Sequence, residues 1–436
     1  IENADEDEQP SWNLWEYDLD TGELRRIIAS DLVAEEGDDL FPAYLPDGRL
    51  VFASTRQRAS GAQLLDDGRP RYPTLVPGED VPALQLHVMD ENGSGIEQIT
   101  FEGLAGPTTV ADWLNRNYTD GFLVMLDGKV IHESYWNGMT PGTVHLAQSV
   151  SKSVTSTAGA SLIAEGLLDP AAPVTEVLPE LANTAWAGAT LQQVMDMTSG
   201  VQFDETDYGN RASDIGKMDV ASGWKPIPEG YGDETWPDCI HDQILSMQVR
   251  EAEHGARFEY RSIETDILAH AMERVTGQRL PQIVSERLWQ PMGAETEANF
   301  TVDSTGYGLS CGGFSASLRD FARMGQAYLD DGRVDGRQVI PLAWVEDVRS
   351  GGHGLANEYL QAYFPNGCYR NQFWIEDRER MGHLCLGVFG QIIYVSPERG
   401  MVFVKLSTWP EFTNTDRMHD CMAAFHAIAR EMGRDL

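Results

Sequence analysis

Apolar and polar residues alternate over the first hundred positions and then change to longer, helix-like periods. In Asn13–Ile27 alternating apolar residues flank an Asp-Thr-Gly turn, a pattern that predicts a β-hairpin. Phe41–Thr55 repeats it around Pro46-Asp47-Gly48, and Leu86–Thr100 repeats it again. Between them, Arg56–Asp80 is rich in Gly, Pro and Asp and reads as an exposed loop. Fourteen acidic residues fall within residues 1–40, and Glu2–Glu8 read as a solvated leader.

A different pattern begins near Gly103. Phe122–Tyr135 predicts a hairpin turning at Asp127-Gly128. Small and apolar residues fill Val150–Ala164, which predicts a buried helix stopped at Gly166. Leu167–Leu181 reads as a turn and short helix, and Leu191–Met197 as a helix ending at Thr198-Ser-Gly200. Helical periods follow over Ser262–Thr276, Leu280–Trp289 and Leu318–Leu329. Two long strands, Leu384–Val395 and Met401–Leu406, precede a last helix over Arg417–Met432. Strands at both ends with helices between them predict an α+β fold built on one antiparallel sheet. The expected division is a β-hairpin extension, 1–102, and a larger domain, 103–436.

Composition narrows the function. The 436 residues are 42% hydrophobic, as in an ordinary soluble globular protein, and no apolar run approaches the length of a membrane span. With 68 acidic against 32 basic side chains, the formal charge of −36 repels nucleic acid and anionic lipid, so neither is expected as a main partner. Few lysines beside many acids hint at a salty habitat. Five cysteines, widely spread and without Cys-x-x-Cys, suggest neither a disulfide framework nor a zinc site. His-Glu-x-x-His is also absent, so no metal or cofactor is expected. The chain begins at Ile1, which leaves cytoplasmic and periplasmic or secreted locations open. Oligomeric state stays open too, a homodimer included.

Candidate chemistry gathers at the buried helix. Ser149 would open it, with Lys152 one turn later on the same face. A helix N-terminus favours an alkoxide, and a desolvated lysine can lose its proton near neutral pH and act as base. The same spacing also suits an N-cap serine followed by an exposed lysine. Phe258-Glu-Tyr260-Arg-Ser262 offers a second proton carrier at the mouth of another helix, although Tyr260 also reads as a strand-end aromatic. Gly308-Leu-Ser310-Cys-Gly312 matches the Gly-x-Ser-x-Gly elbow of α/β-hydrolases, but it lacks the hydrophobic strand before it and the helix after it. Ser310 is therefore set aside as nucleophile.

The order of these segments resembles the class C β-lactamases, the family VIII carboxylesterases and, most closely, the 6-aminohexanoate-dimer (nylon oligomer) hydrolases. Ser149-Val-Ser-Lys-Ser153, Leu168–Thr175, Val194-Met-Asp-Met197, Thr301–Gly306 and Val404–Pro410 carry the likeness, which runs from about residue 120 to the end. It implies a β-lactamase/DD-peptidase-like antiparallel sheet with flanking helices and a helical subdomain. It also implies a serine hydrolase that cleaves small amides or esters through an acyl-enzyme. By the resemblance Ser149 is the nucleophile, Lys152 its base, Tyr260 the proton shuttle, and the N–H groups of Ser149 and Val388 the oxyanion hole. Tyr208, Asp219 and Ser262 fall where substrate contacts are expected, Asp219 opposite a free amine. The penicillin-recognising members keep Lys-Thr-Gly on a strand that here reads Cys385-Leu-Gly-Val388, with Lys405 on the next strand, so efficient β-lactam hydrolysis is not expected.

Residues 1–100 resemble blades of TolB-type six-bladed propellers through their Pro-Asp-Gly turn, but cover only one blade and part of another. A plain β-rich extension with no separate function is the favoured reading. Competing readings of the whole chain are a generalist carboxylesterase, a peptidoglycan-peptidase-like enzyme, and a non-catalytic binding protein made of a propeller-like module and a decayed hydrolase. Intact Ser149, Lys152 and Tyr260 argue against the last.

Overall fold

A computed structural model of the chain describes residues 13–17, 21–28, 39–45, 48–54, 85–94, 96–98, 109–206, 210–230 and 235–434. The chain divides into two units, Ile1–Thr109 and Val110–Leu436.

In the first unit, β1 (Trp15–Tyr17) and β2 (Leu24–Arg26) form an antiparallel ribbon. The strands β3 (Asp39–Tyr44), β4 (Leu50–Ser54), β5 (Gln85–Met89) and β6 (Glu97–Gln98) form a four-stranded sheet in sequence order. The three expected hairpins are thus all paired. Leu14, Ile27, Ile28, Leu50, Phe52 and Met89 make a small apolar cluster. A four-stranded meander is the size of a single propeller blade. The expected leader at Glu2–Glu8, the loop at Arg56–Asp80 and the Pro46-Asp47 turn residues lie outside the described residues.

The second unit is built on a seven-stranded antiparallel sheet. Its members are β7 (Thr119–Leu126), β8 (Lys129–Tyr135), β14 (Cys368–Arg370), β15 (Phe373–Ile375), β16 (His383–Gly387), β17 (Gln391–Ser396) and β18 (Met401–Ser407). Their spatial order is β14-β15-β16-β17-β18-β7-β8. Successive side chains on a strand point to opposite faces, so a strand covered on both sides is apolar throughout. Phe122, Val124 and Phe403 join one core cluster, whereas their neighbours Leu123, Met125, Val402 and Val404 join the other. The first cluster is closed by Trp113 of α1 (Val110–Arg116) and Phe425 of the last helix, Thr415–Glu431. The second is closed by Leu318–Leu329 and by α2 (Val150–Ala164).

Twelve of the fifteen residues of α2 are buried, so it runs through the core rather than along a surface. That explains its sequence, mostly small residues with hydroxyl and apolar side chains mixed around the helix and no separate polar face. Its serine and threonine hydroxyls are satisfied by carbonyls: Ser153 Oγ donates to Gln372 O at 2.7 Å and Ser156 Oγ to Asn371 O at 2.9 Å. A three-stranded sheet feeds it, in the order β10 (Asn299–Phe300), β11 (Phe314–Ser317), β9 (Val144–Leu146). A two-residue ribbon, β12 (Arg333–Val334) and β13 (Arg337–Gln338), completes the strands.

The expected helices over 262–276, 280–289, 318–329 and 417–432 are all present within one or two residues. One expectation is corrected. Leu384–Val395 is not one strand but the hairpin β16–β17, turned by Val388-Phe389-Gly390. Phe389 and Gly390 take positive φ, +62° and +84°, and a Cβ on Gly390 would stand 2.3 Å from the Trp409 ring. Apolar residues on both sides of the turn conceal it.

Candidate active site

The strand β9 delivers the chain to α2 through Gln148, held at φ +51°. Ala147 N–H donates to Phe314 O at 2.9 Å, and Ser151 Oγ closes the first turn on Gln148 O at 2.5 Å. Ser149 occupies the N-cap position, yet its side chain makes no capping bond. Instead Lys152 Nζ donates to Ser149 Oγ at 2.8 Å and to Cys311 O at 2.7 Å. Lys152 is only 1% exposed. Both halves of the capping alternative, the serine cap and the exposed lysine, are therefore corrected.

Tyr260 stands just before α3 (Ile263–Thr276). Its approach is set from below: Glu259 N–H donates to Met197 O at 3.0 Å. The phenol ring stacks on Trp374, with centroids 5.4 Å apart, and meets Tyr369 edge-on. Lys152 Nζ lies 5.1 Å from the ring centroid. Burial raises the Tyr260 pKa, and the Lys152 ammonium and Ser149 hydroxyl pull it back without cancelling the rise.

Lys152 departs from expectation. Burial does push its pKa down, but Tyr260, Cys311 and Glu205 together raise it above the ordinary lysine value. The resting pair is thus an ammonium beside a neutral phenol, two groups close enough to titrate as one unit.

Glu205 belongs to no sequence motif. The residue is 9% exposed, and its carboxylate accepts from Ser262 N–H at 2.5 Å and from Ser262 Oγ at 2.6 Å. An anion at the N-terminus of α3 is favoured by the helix field. Ser262, expected at the substrate, is 4% exposed and donates its hydroxyl to Glu205.

One cleft holds Ser149, Tyr260 and Val388 together, walled by Tyr359, Tyr363, Trp374, Leu386, Trp409 and Phe412. The β16–β17 turn brings Val388 there, since a Cβ on Gly387 would lie 2.4 Å from Ala147 O. Among the described residues neither Ser149 N–H nor Val388 N–H makes a hydrogen bond. Two unspent donors beside a serine hydroxyl fit what an oxyanion requires. The aromatic wall escapes sequence reasoning because its members come from separate short elements, Tyr359 and Tyr363 from the helix Glu358–Tyr363.

Other sequence candidates fall elsewhere. Tyr208 lies outside the described residues. Asp219, on the helix Asp214–Ala221, is ion-paired with Lys225 at 2.5 Å. Ser310 is fully buried with its hydroxyl donated to Asp266 Oδ1 at 2.6 Å, so it cannot meet a substrate. Lys405 is buried with its ammonium on Asn117 O at 3.1 Å and on Ser407 Oγ.

A serine on a buried helix, bonded to a lysine one turn on, beside an antiparallel sheet, defines a serine hydrolase of the Ser-x-x-Lys class. The β-lactamase family profile matches residues 116–421, and the chain belongs to that family. It is 38% identical to a 6-aminohexanoate-dimer hydrolase of Paenarthrobacter ureafaciens over 300 residues, 68% of this chain and 74% of the relative. A solved candidate 6-aminohexanoate-dimer hydrolase from Bacillus anthracis superposes with a TM-score of 0.67 at 30% identity, covering 75% of this chain and 83% of that one. A family VIII carboxylesterase shares the fold with a TM-score of 0.53 at 14% identity, over 76% of this chain and 99% of its own. No helix among the described residues is long and apolar enough to cross a membrane.

Proposed function

We propose that the protein hydrolyses linear amides and small carboxylic esters through an acyl-enzyme on Ser149, with short ω-amino-acid oligomers such as 6-aminohexanoate dimers as the leading substrate class. The observation that carries this is the 2.8 Å contact from Lys152 Nζ to Ser149 Oγ at the mouth of a cleft that also holds Tyr260 and Val388. The relative from Paenarthrobacter, named for the aminohexanoate dimer, supports the substrate class.

The geometry suggests the following sequence. The Lys152–Tyr260 pair first loses one proton to solvent. It then takes the Ser149 proton as Oγ attacks the carbonyl carbon, and the tetrahedral oxyanion forms against the N–H groups of Ser149 and Val388. Tyr260 returns that proton to the leaving nitrogen or oxygen as the C–N or C–O bond breaks. Water attacks the ester in turn, giving its proton to the pair, and Ser149 recovers it on release of the acid. The apolar wall suits a polymethylene chain, which offers no hydrogen bonds. Residues 110–436 hold every group named in this scheme, so a fragment without the first unit is expected to keep the chemistry.

Brief exposure to a serine-reactive phosphonate, followed by peptide mass spectrometry, tests the assignment. The adduct is expected on the Ser149 peptide, both in the full chain and in a fragment starting at Thr109. Labelling on Ser310, or none anywhere, would remove Ser149 as nucleophile. An unlabelled fragment beside a labelled full chain would return a role to the first unit.

A further inference from the structure

The Gly308–Gly312 loop, rejected as a nucleophile elbow, touches the proposed base directly. Lys152 Nζ donates to two acceptors, the Ser149 hydroxyl and the carbonyl of Cys311. The first is the reacting group and must be free to move. The second belongs to backbone, so its position depends on whatever fixes the loop.

What fixes it is a carboxylate. Asp266, on the first turn of α3 and fully buried, accepts three bonds on one oxygen: from Ser310 Oγ at 2.6 Å, Ser310 N–H at 3.1 Å and Tyr307 Oη at 3.0 Å. The middle of the loop and the chain just beyond it are tied to α2, since Thr155 Oγ1 donates to Ser310 O at 3.4 Å and Phe314 N–H to Ser151 Oγ at 3.0 Å. The near end is gathered by Asp303 Oδ1, which accepts from Tyr307 N–H at 3.0 Å.

We infer that Asp266 and Ser310 form a positioning device for Lys152, holding the Cys311 carbonyl where it fixes the amine against Ser149. This rests on the reading of Lys152 as the proton-transfer group. A carboxylate suits the task because a single oxygen accepts several donors, and such charge-assisted bonds are the strong ones. The groups facing it are Tyr307, Ser310 and Cys311 from the loop, while His270, one turn along its own helix, stacks on Tyr307 at 4.2 Å and turns Nδ1 to the Asp266 backbone carbonyl at 2.7 Å. Burial raises Asp266 to about 6 despite the bonds from Ser310, Tyr307 and Cys311, and burial lowers His270 to about 4. At neutral pH the clamp is therefore anionic beside a neutral imidazole.

The test uses Ser310→Ala and Tyr307→Phe in the full chain, since each deletes one donor and keeps the buried shape. Asp266→Asn is avoided, because Oδ2 has no partner among the described residues and an amide nitrogen there would be a buried orphan donor. The readouts are kcat and KM for p-nitrophenyl acetate from pH 5 to 10. A positioning role predicts that kcat falls about five- to twentyfold with KM within about twofold, as for an interaction used in the chemical step. It also predicts that the acidic limb of kcat/KM moves to lower pH by about half a unit, because an ammonium with a looser acceptor loses its proton more readily. Wild-type kcat and an unmoved limb in both variants, whatever their melting temperature, would reduce the clamp to a structural strut. If Ser310→Ala does not fold, Tyr307→Phe decides alone. Lys152→Arg run alongside separates the two claims: an inactive Lys152→Arg with unaffected loop variants rejects the clamp alone. An active Lys152→Arg overturns the clamp together with the reading of Lys152.

Discussion

Two lysines are buried in the larger unit, and they are buried differently. Lys152 and Lys405 are exposed by 1% and 0%, and each ammonium bonds one backbone carbonyl and one serine hydroxyl. Their pKa values nevertheless move in opposite directions. Burial lowers Lys405 to about 8, with Cys421, Asp120 and Asp420 opposing and Arg417 assisting. At Lys152 the same burial is overcome by Tyr260, Cys311 and Glu205. A buried lysine is therefore not a base by virtue of burial. By its pKa alone Lys405 would be the better base near neutrality, yet it lies on β18 and is not among the residues that line the cleft, its ammonium 5.5 Å from the Trp409 ring centroid. Lys152 has the Ser149 hydroxyl at 2.8 Å and the Tyr260 phenol beside it, the two groups the proposed scheme needs to receive and carry the proton. Position decides between them.

The largest effect should come from changing the front lysine. Lys152→Arg keeps the cation but removes the lone pair, and arginine cannot be deprotonated in a protein. The expected loss in kcat is at least about two orders of magnitude, the usual contribution of a general base. In the wild type, kcat/KM should rise with pH as the Lys152–Tyr260 pair loses its first proton, and that limb should vanish in the variant. An arginine enzyme with normal turnover would make Lys152 a fixed cation and leave the acyl-transfer scheme without its base.

The rear lysine should influence stability instead. Its folded pKa of about 8 is below the ordinary 10.5, so the folded protein binds this proton less readily than the unfolded chain. Below pH 8 both states are protonated and the folded state carries the full burial penalty. Between pH 8 and 10.5 only the unfolded state holds the proton, so stability rises with pH through that window. The gain is on the order of 3 kcal/mol. Lys405→Met removes it. Urea unfolding at pH 7, 8.5 and 10 should show the wild type gaining on the variant as pH rises, with turnover at pH 7 within about threefold of normal. Parallel stability curves would mean that Lys405 keeps its proton at all three values, and a collapse in turnover would bring it into the site.

The contrast also separates what is legible in the sequence from what is not. Ser149 and Lys152 are legible because helix geometry places residues three apart on one face, and a run of small residues implies burial. Tyr260 is legible from its place before a helix and from the family resemblance. Nothing local marks Glu205 or the Cys311 carbonyl. Each becomes significant only when α2, α3 and the 307–311 loop converge, a fact about sequence separation rather than residue type. The turn at Val388–Gly390 is hidden for the opposite reason. A hairpin covered on both sides is apolar along its strands, so Gly387 and Gly390 are the turn's only marks, without the Asn, Asp, Ser or Pro that usually stand beside them.

The smallest effect, and the sharpest discrimination, concerns a third lysine. The sequence offers Asp219 as a partner for the free amine of an oligomer, but Lys225 already occupies its carboxylate at 2.5 Å, with the lysine side chain 43% exposed. The pair connects to the Gly308–Gly312 loop through Trp224, whose backbone N–H donates to Asp219 O at 2.9 Å and whose ring lies 3.5 Å from a Cβ placed on Gly312. A substrate amine would therefore have to compete with an internal ammonium for the same oxygens. An exposed ion pair is worth up to about 1 kcal/mol, so the exchange is nearly balanced and Asp219→Ala should lower kcat/KM for an aminohexanoate dimer by at most about fivefold. Lys225→Met should move the same quantity the other way by a similar factor, since it frees the carboxylate without touching Ser149, Lys152 or Tyr260. Neither change should alter p-nitrophenyl acetate, which carries no amine. Opposite shifts confined to the dimer would make Asp219 a selector of substrate restrained by its neighbour. A loss on both substrates would instead trace to the helix Asp214–Ala221, whose end supports Trp224 against the Gly312 loop.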